Sequence, residues 1–86
     1  MKFVFTDKAD EDIEFFKKSG NKQILEKLNK LLLEIAETPF KGTGKPEPLK
    51  HKLSGLWSRH LNYEHRLVYE VFEEQITIHS LKGHYE

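Results

Sequence analysis

The spacing of apolar residues changes once along this chain, and that change limits the fold more than any other feature. Ala9, Ile13 and Phe16, then Ile24, Leu25, Leu28, Leu31, Leu32 and Ile35, recur at helical spacing. From Trp57 onward the period falls to two. Trp57-Ser58-Arg59-His60-Leu61 alternates, residues 66–72 are rich in β-formers, and residues 75–81 alternate again after Glu73-Glu74. Between the two regimes lies an irregular stretch, residues 39–56, punctuated by Pro39, Gly42, Gly44, Pro46, Pro48 and Gly55. An amphipathic helix and a half-buried strand each have one apolar side to cover, so each can cover the other.

Boundary residues refine this outline. Lys2 to Phe5 reads as a short strand with Phe3 and Phe5 on one face. Thr6 or Asp7 can cap the helix that follows, and the acids of its first turn suit the helix dipole. Ser19-Gly20-Asn21 ends that helix and caps the next. The second helix should stop before Pro39, because a residue preceding proline avoids the α region. The expected fold is α+β in the order β-α-α-β-β-β, a two-helix hairpin packed on an antiparallel sheet. The last three strands should form a meander. The 86 residues form one domain, residues 1–86.

Charge is unevenly spread although the formal net charge is zero. Residues 7–14 carry Asp7, Asp10, Glu11, Asp12 and Glu14 against Lys8. Residues 41–66 carry Lys41, Lys45, Lys50, Lys52, Arg59 and Arg66 against Glu47 and Glu64. A basic middle suits a phosphate backbone, and a solvated face explains it equally well. The chain has no cysteine, which excludes disulfides and thiolate zinc sites. No apolar run approaches the roughly 20 residues that span a bilayer, and the start lacks the apolar core of a secretory signal. The expectation is a cytoplasmic protein.

A small set of side chains could do chemistry. Glu47 sits between Pro46 and Pro48, which restrict the backbone around its carboxylate. Arg66 opens the most β-prone segment, and its planar donor fork matches phosphate oxygens. His84 can exchange a proton near neutral pH, and Tyr85 beside it could stack on a base or anchor the tail. Taken singly, Glu47 also fits a salt-bridged surface loop and His84 an inert terminal histidine. Either Arg59 or His60 faces the side that Arg66 serves. The histidine spacing matches no metal motif, and Gly42-Thr43-Gly44-Lys45 lacks the spacing of a phosphate-binding loop. A base, an acid, a cation and an aromatic suffice to cleave RNA without metal or cofactor. The substrate's own 2′-hydroxyl is then the nucleophile.

These residues lie in runs that resemble a known family. Thr38-Pro39-Phe40, the run from Gly44 to Arg59, Glu64 to Tyr69, and His84-Tyr85 are similar to the YoeB/Txe toxins of the RelE/ParE-like superfamily. The resemblance implies a RelE-like microbial RNase-type fold. It implies an endoribonuclease that cuts mRNA in the A site of the 30S subunit, and so inhibits translation. It implies neutralisation by a YefM/Axe-like antitoxin, and a homodimer. It assigns Glu47 as general base, His84 as general acid and Arg66 as transition-state stabiliser, with Lys50 and Tyr85 at the substrate. Arg59, Lys45 and Lys52 of the basic segment are further expected RNA contacts. His60 departs from the arginine usual among relatives, and Glu86 extends past the tyrosine at which many of them end. Two other functions compete. A gyrase inhibitor of the ParE branch would need no acid–base set, and a non-catalytic RNA-binding module would tolerate loss of His84.

Overall fold

The structure is a computed structural model, which describes residues 2–83. Its elements are β1 (Lys2–Phe5), α1 (Asp7–Lys18), α2 (Lys22–Glu37), β2 (Glu47–Pro48), a 3-10 turn (His51–Leu53), β3 (Trp57–His60), β4 (Arg66–Phe72) and β5 (Gln75–Ser80). The helices begin and end where the capping residues predict. The Thr6 hydroxyl accepts the Ala9 N–H at 3.1 Å, and the Asn21 side chain accepts the Ile24 N–H at 3.2 Å. The last helical residue is Glu37, with Thr38 in a non-helical conformation ahead of Pro39. No described helix is long and apolar enough to cross a membrane.

The five strands run in the order β1-β5-β4-β3-β2. As expected, β3, β4 and β5 form an antiparallel meander. Two features correct the expected antiparallel sheet and its β-α-α-β-β-β order. β1 joins the sheet parallel to β5, so the sheet is mixed. The helical hairpin carries the chain across one face to the far edge, and three antiparallel strands bring it back in β1's direction. The irregular stretch also supplies a two-residue edge strand, β2, antiparallel to β3. Prolines on either side of Glu47 obscured it, because proline is accommodated only at sheet edges.

One face of the sheet is covered. Phe16 of α1 and Ile24, Leu28, Leu31 and Ile35 of α2 pack on Leu67, Tyr69, Ile76 and Ile78. Each such side chain contributes about 1.5–3 kcal/mol on burial. A bulge at Val68/Tyr69 pairs Val68 with Ser80 but Tyr69 with Ile78, leaving His79 as the extra residue. The bulge shifts the alternation at the end of β5. Leu81, rather than Ser80, therefore joins the core under the helices.

Candidate active site

Strand register decides which side chains share a face. Directly paired residues project to the same side, and residues two apart on a strand do so as well. Trp57 pairs with Tyr69 and Arg59 with Leu67, and Leu67 and Tyr69 face the helices. The intervening pairs, Ser58 with Val68 and His60 with Arg66, therefore face the other way, as does Glu47 opposite Ser58. Glu47, His60 and Arg66 thus stand on the sheet face opposite the helices. Glu47 and Arg66 are two strands and two residues apart, which sets their Cα atoms about 12 Å from one another. Side chains converging across that gap could flank one phosphodiester.

Glu47 is exposed on the edge strand, and Lys45, Lys50 and Lys52 are exposed around it. The loop that delivers β2 approaches β3 closely. The Gly44 carbonyl accepts the His60 N–H at 2.7 Å, and a Cβ on Gly44 would lie 3.0 Å from the His60 carbonyl. Gly44 also has φ +86°, a region that glycine enters without strain. A Cβ on Gly42 would overlap the Glu34 carboxylate. Glycines at 42 and 44 therefore let this loop lie flat against the sheet edge and present Glu47.

Arg59 requires a correction. It was expected to contact RNA, but its side chain is 0% exposed. Its Nε donates to the Tyr69 hydroxyl at 3.1 Å. Nη1 donates to Glu34 Oε1 at 2.7 Å and to the Thr43 carbonyl at 3.3 Å. Nη2 donates to the carbonyls of Thr38 and Lys41, both at 2.7 Å. A guanidinium has five N–H donors, and this set engages all of them. The Tyr69 hydroxyl in turn donates to the Pro39 carbonyl at 2.7 Å. Arg59 is thus an internal tie between the sheet and residues 38–43, and no donor is left for a substrate. The Thr43 backbone N–H, followed by the Arg59 guanidinium, holds the Glu34 carboxyl below its usual range. Burial raises the Tyr69 hydroxyl above its ordinary value, against the pull of Arg59.

Arg66 is half-buried at the start of β4, and its backbone N–H donates to the Gly83 carbonyl at 2.9 Å. The chain thus reaches Arg66 one residue before His84. His84 and Tyr85 themselves lie outside the described residues, as does Glu86. Among the described residues no three histidine, aspartate or glutamate side chains gather as a metal site.

Sequence reasoning passed over Asp12 and His65. Asp12 is 3% exposed, and its Oδ2 accepts the N–H groups of Leu81 at 2.8 Å and Lys82 at 3.0 Å. Burial pushes its carboxyl up, but those two N–H groups and the Lys8 ammonium outweigh burial and hold it below the usual range. His65 Nδ1 accepts the Gly83 N–H at 2.9 Å. A signal for Asp12 existed. With Ala9 and Phe16 it occupies the buried stripe of α1, where a carboxylate must have partners.

Comparison with known proteins settles the family. Residues 5–85 match the model of the YoeB-like toxin of bacterial type II toxin–antitoxin systems. The chain belongs to the YoeB toxin family. Toxin YoeB of Synechocystis is 45% identical over 86 residues, covering 100% of this chain and 99% of that relative. A YoeB/ParE toxin from Agrobacterium tumefaciens superposes with a TM-score of 0.94 at 39% identity, covering 99% of this chain and 100% of that one. The YoeB toxin of Staphylococcus aureus has been solved as a YoeB–YefM complex (TM-score 0.88, 43% identity) and as a YoeB dimer (0.89, 42%). Each covers 99% of this chain and 98% of the other. The α+β fold, with two helices on a five-stranded mixed sheet, is that of YoeB and RelE-like toxins.

Proposed function

We propose that this YoeB-family toxin is an endoribonuclease that cuts mRNA in the ribosomal A site by acid–base catalysis. Glu47 takes the proton of the 2′-hydroxyl, whose oxygen attacks the adjacent phosphorus. Arg66 neutralises the charge that builds on the phosphorane oxygens. His84 gives a proton to the departing 5′-oxygen. The products are a 2′,3′-cyclic phosphate and a 5′-hydroxyl, and hydrolysis of the cyclic ester yields a 3′-phosphate. Lys45, Lys50 and Lys52 bind the neighbouring phosphates and ribosomal RNA, and Tyr85 orients the substrate. Arg59 plays no direct part.

The observation that carries this reading is the strand register, which sets Glu47 and Arg66 on one sheet face, opposite the helices. A ribosome would hold an extended message against these side chains. The YefM complex and the dimer of the Staphylococcus aureus relative support a YefM-like antitoxin and a second copy as partners.

The test adds wild type, Glu47→Ala and His84→Ala to a translation extract and maps mRNA 5′ ends. Wild type should generate new 5′-hydroxyl ends within codons, and both variants should lose them. Intact message with wild type would refute the nuclease reading. Double-strand breaks in DNA without RNA cuts would indicate a gyrase inhibitor instead.

A further inference from the structure

In the segment after β5, the backbone N–H groups are held by side chains rather than by strand pairing. Leu81, Lys82 and Gly83 each give their N–H to a side-chain acceptor. Asp12 takes the first two, at 2.8 and 3.0 Å, and His65 Nδ1 takes the third, at 2.9 Å. The Gly83 carbonyl then accepts the Arg66 N–H at 2.9 Å. Three successive residues are therefore pinned immediately before position 84. Chain termini are ordinarily mobile, and a mobile acid is a poor catalyst.

Both acceptors are themselves held. Asp12 is buried on α1, and Lys8 one turn earlier pairs with its other oxygen. The His65 ring packs edge-on against Phe16, one turn after Asp12, with centroids 5.1 Å apart. Asn62 Oδ1 accepts the His65 N–H at 2.7 Å and closes the turn between β3 and β4. Because Nδ1 accepts a hydrogen bond, the neutral ring carries its proton on Nε2, which lies 3.7 Å from Glu64. A single helix, α1, thus supplies one clamp and seats the other.

We infer that Asp12 and His65 are positioning residues, which fix residues 81–83 beside Arg66 and so set the point from which the chain continues to the general acid. The inference rests on the nuclease reading above for its consequence, but the clamp can be measured without it. Neither residue touches substrate. Their contribution is to the fraction of time the acid is in place, so their loss lowers kcat and leaves KM unchanged.

Amide hydrogen exchange and cleavage of message on programmed ribosomes test this together. In wild type the amides of Leu81, Lys82 and Gly83 should be protected. Asp12→Ala should free Leu81 and Lys82, and His65→Ala should free Gly83, while Tyr69 stays protected in each. Both should lower kcat, by up to about 10²-fold, at constant KM. Asp12→Asn and His65→Asn retain an acceptor oxygen near the native position, so both should keep protection and stay within about threefold of wild type. Free exchange of the tail amides at unchanged kcat would overturn the inference. So would a loss confined to KM, or unaltered Gly83 protection in His65→Ala. A wild type that cleaves nothing while its tail amides stay protected would instead refute the nuclease reading.

Discussion

Arg59 and Arg66 lie on adjacent strands of one sheet, yet they do opposite work. Arg59 points under the helices, where five acceptors take its five donors. Arg66 points to the opposite face with His60 beside it and Glu47 diagonally across. The two arginines belong to neighbouring cross-strand pairs, Arg59 with Leu67 and His60 with Arg66. A one-residue step therefore separates a structural tie from the arginine proposed to act in catalysis, because strand side chains alternate. Residue type alone does not distinguish a guanidinium that binds backbone carbonyls from one turned to the other face of the sheet.

The contrast breaks most visibly at Arg59. Arg59→Ala should cost about 3–5 kcal/mol, because buried carbonyls and Tyr69 lose their partner together. Thermal unfolding should show a large drop in Tm, and Arg59→Lys should not restore it, since an ammonium cannot span the same acceptors. Arg66→Ala should do the reverse. Its Tm loss should be the smaller of the two, while kcat on message-loaded ribosomes falls on the order of 10²–10³-fold. Equal Tm losses for the two variants would remove the distinction between the faces.

Gly44→Ala probes the loop that presents Glu47. The added Cβ meets the His60 carbonyl, and φ +86° strains any side chain. The expected cost is about 1–2 kcal/mol, with a kcat loss if β2 shifts. Wild-type kcat together with unchanged Tm would show that the loop adapts. The smallest effect concerns acid. Asp12 is held below the ordinary aspartate value of 3.8, so its clamp adds stability above that pH. The contribution is lost as pH falls through the lower folded value. Denaturant melts from pH 5 down to pH 2 should therefore show wild type losing more stability than Asp12→Asn.

Much of the molecule was legible because it is local. The caps at Thr6 and Asn21, the stop before Pro39, the α2 stripe and the acidic turn at Glu73-Glu74 all follow from neighbours in sequence. Glu47 and Arg66 were nameable as candidates from residue chemistry and from a family resemblance carried by the run from Gly44 to Arg59. Arg59 was misread because its basic neighbourhood in sequence is not its neighbourhood in space.

The sequence by itself determined where helix gives way to strand, since periodicity and capping act within a few residues. Only the tertiary structure decided which face each strand residue occupies and what it meets there. Register sets Arg66 toward the face opposite the helices and Arg59 toward the carbonyls of residues 38–43. Asp12 meets Leu81 across 69 residues of chain. No local rule reaches that far, because a buried carboxylate takes whichever donors the completed fold brings to it.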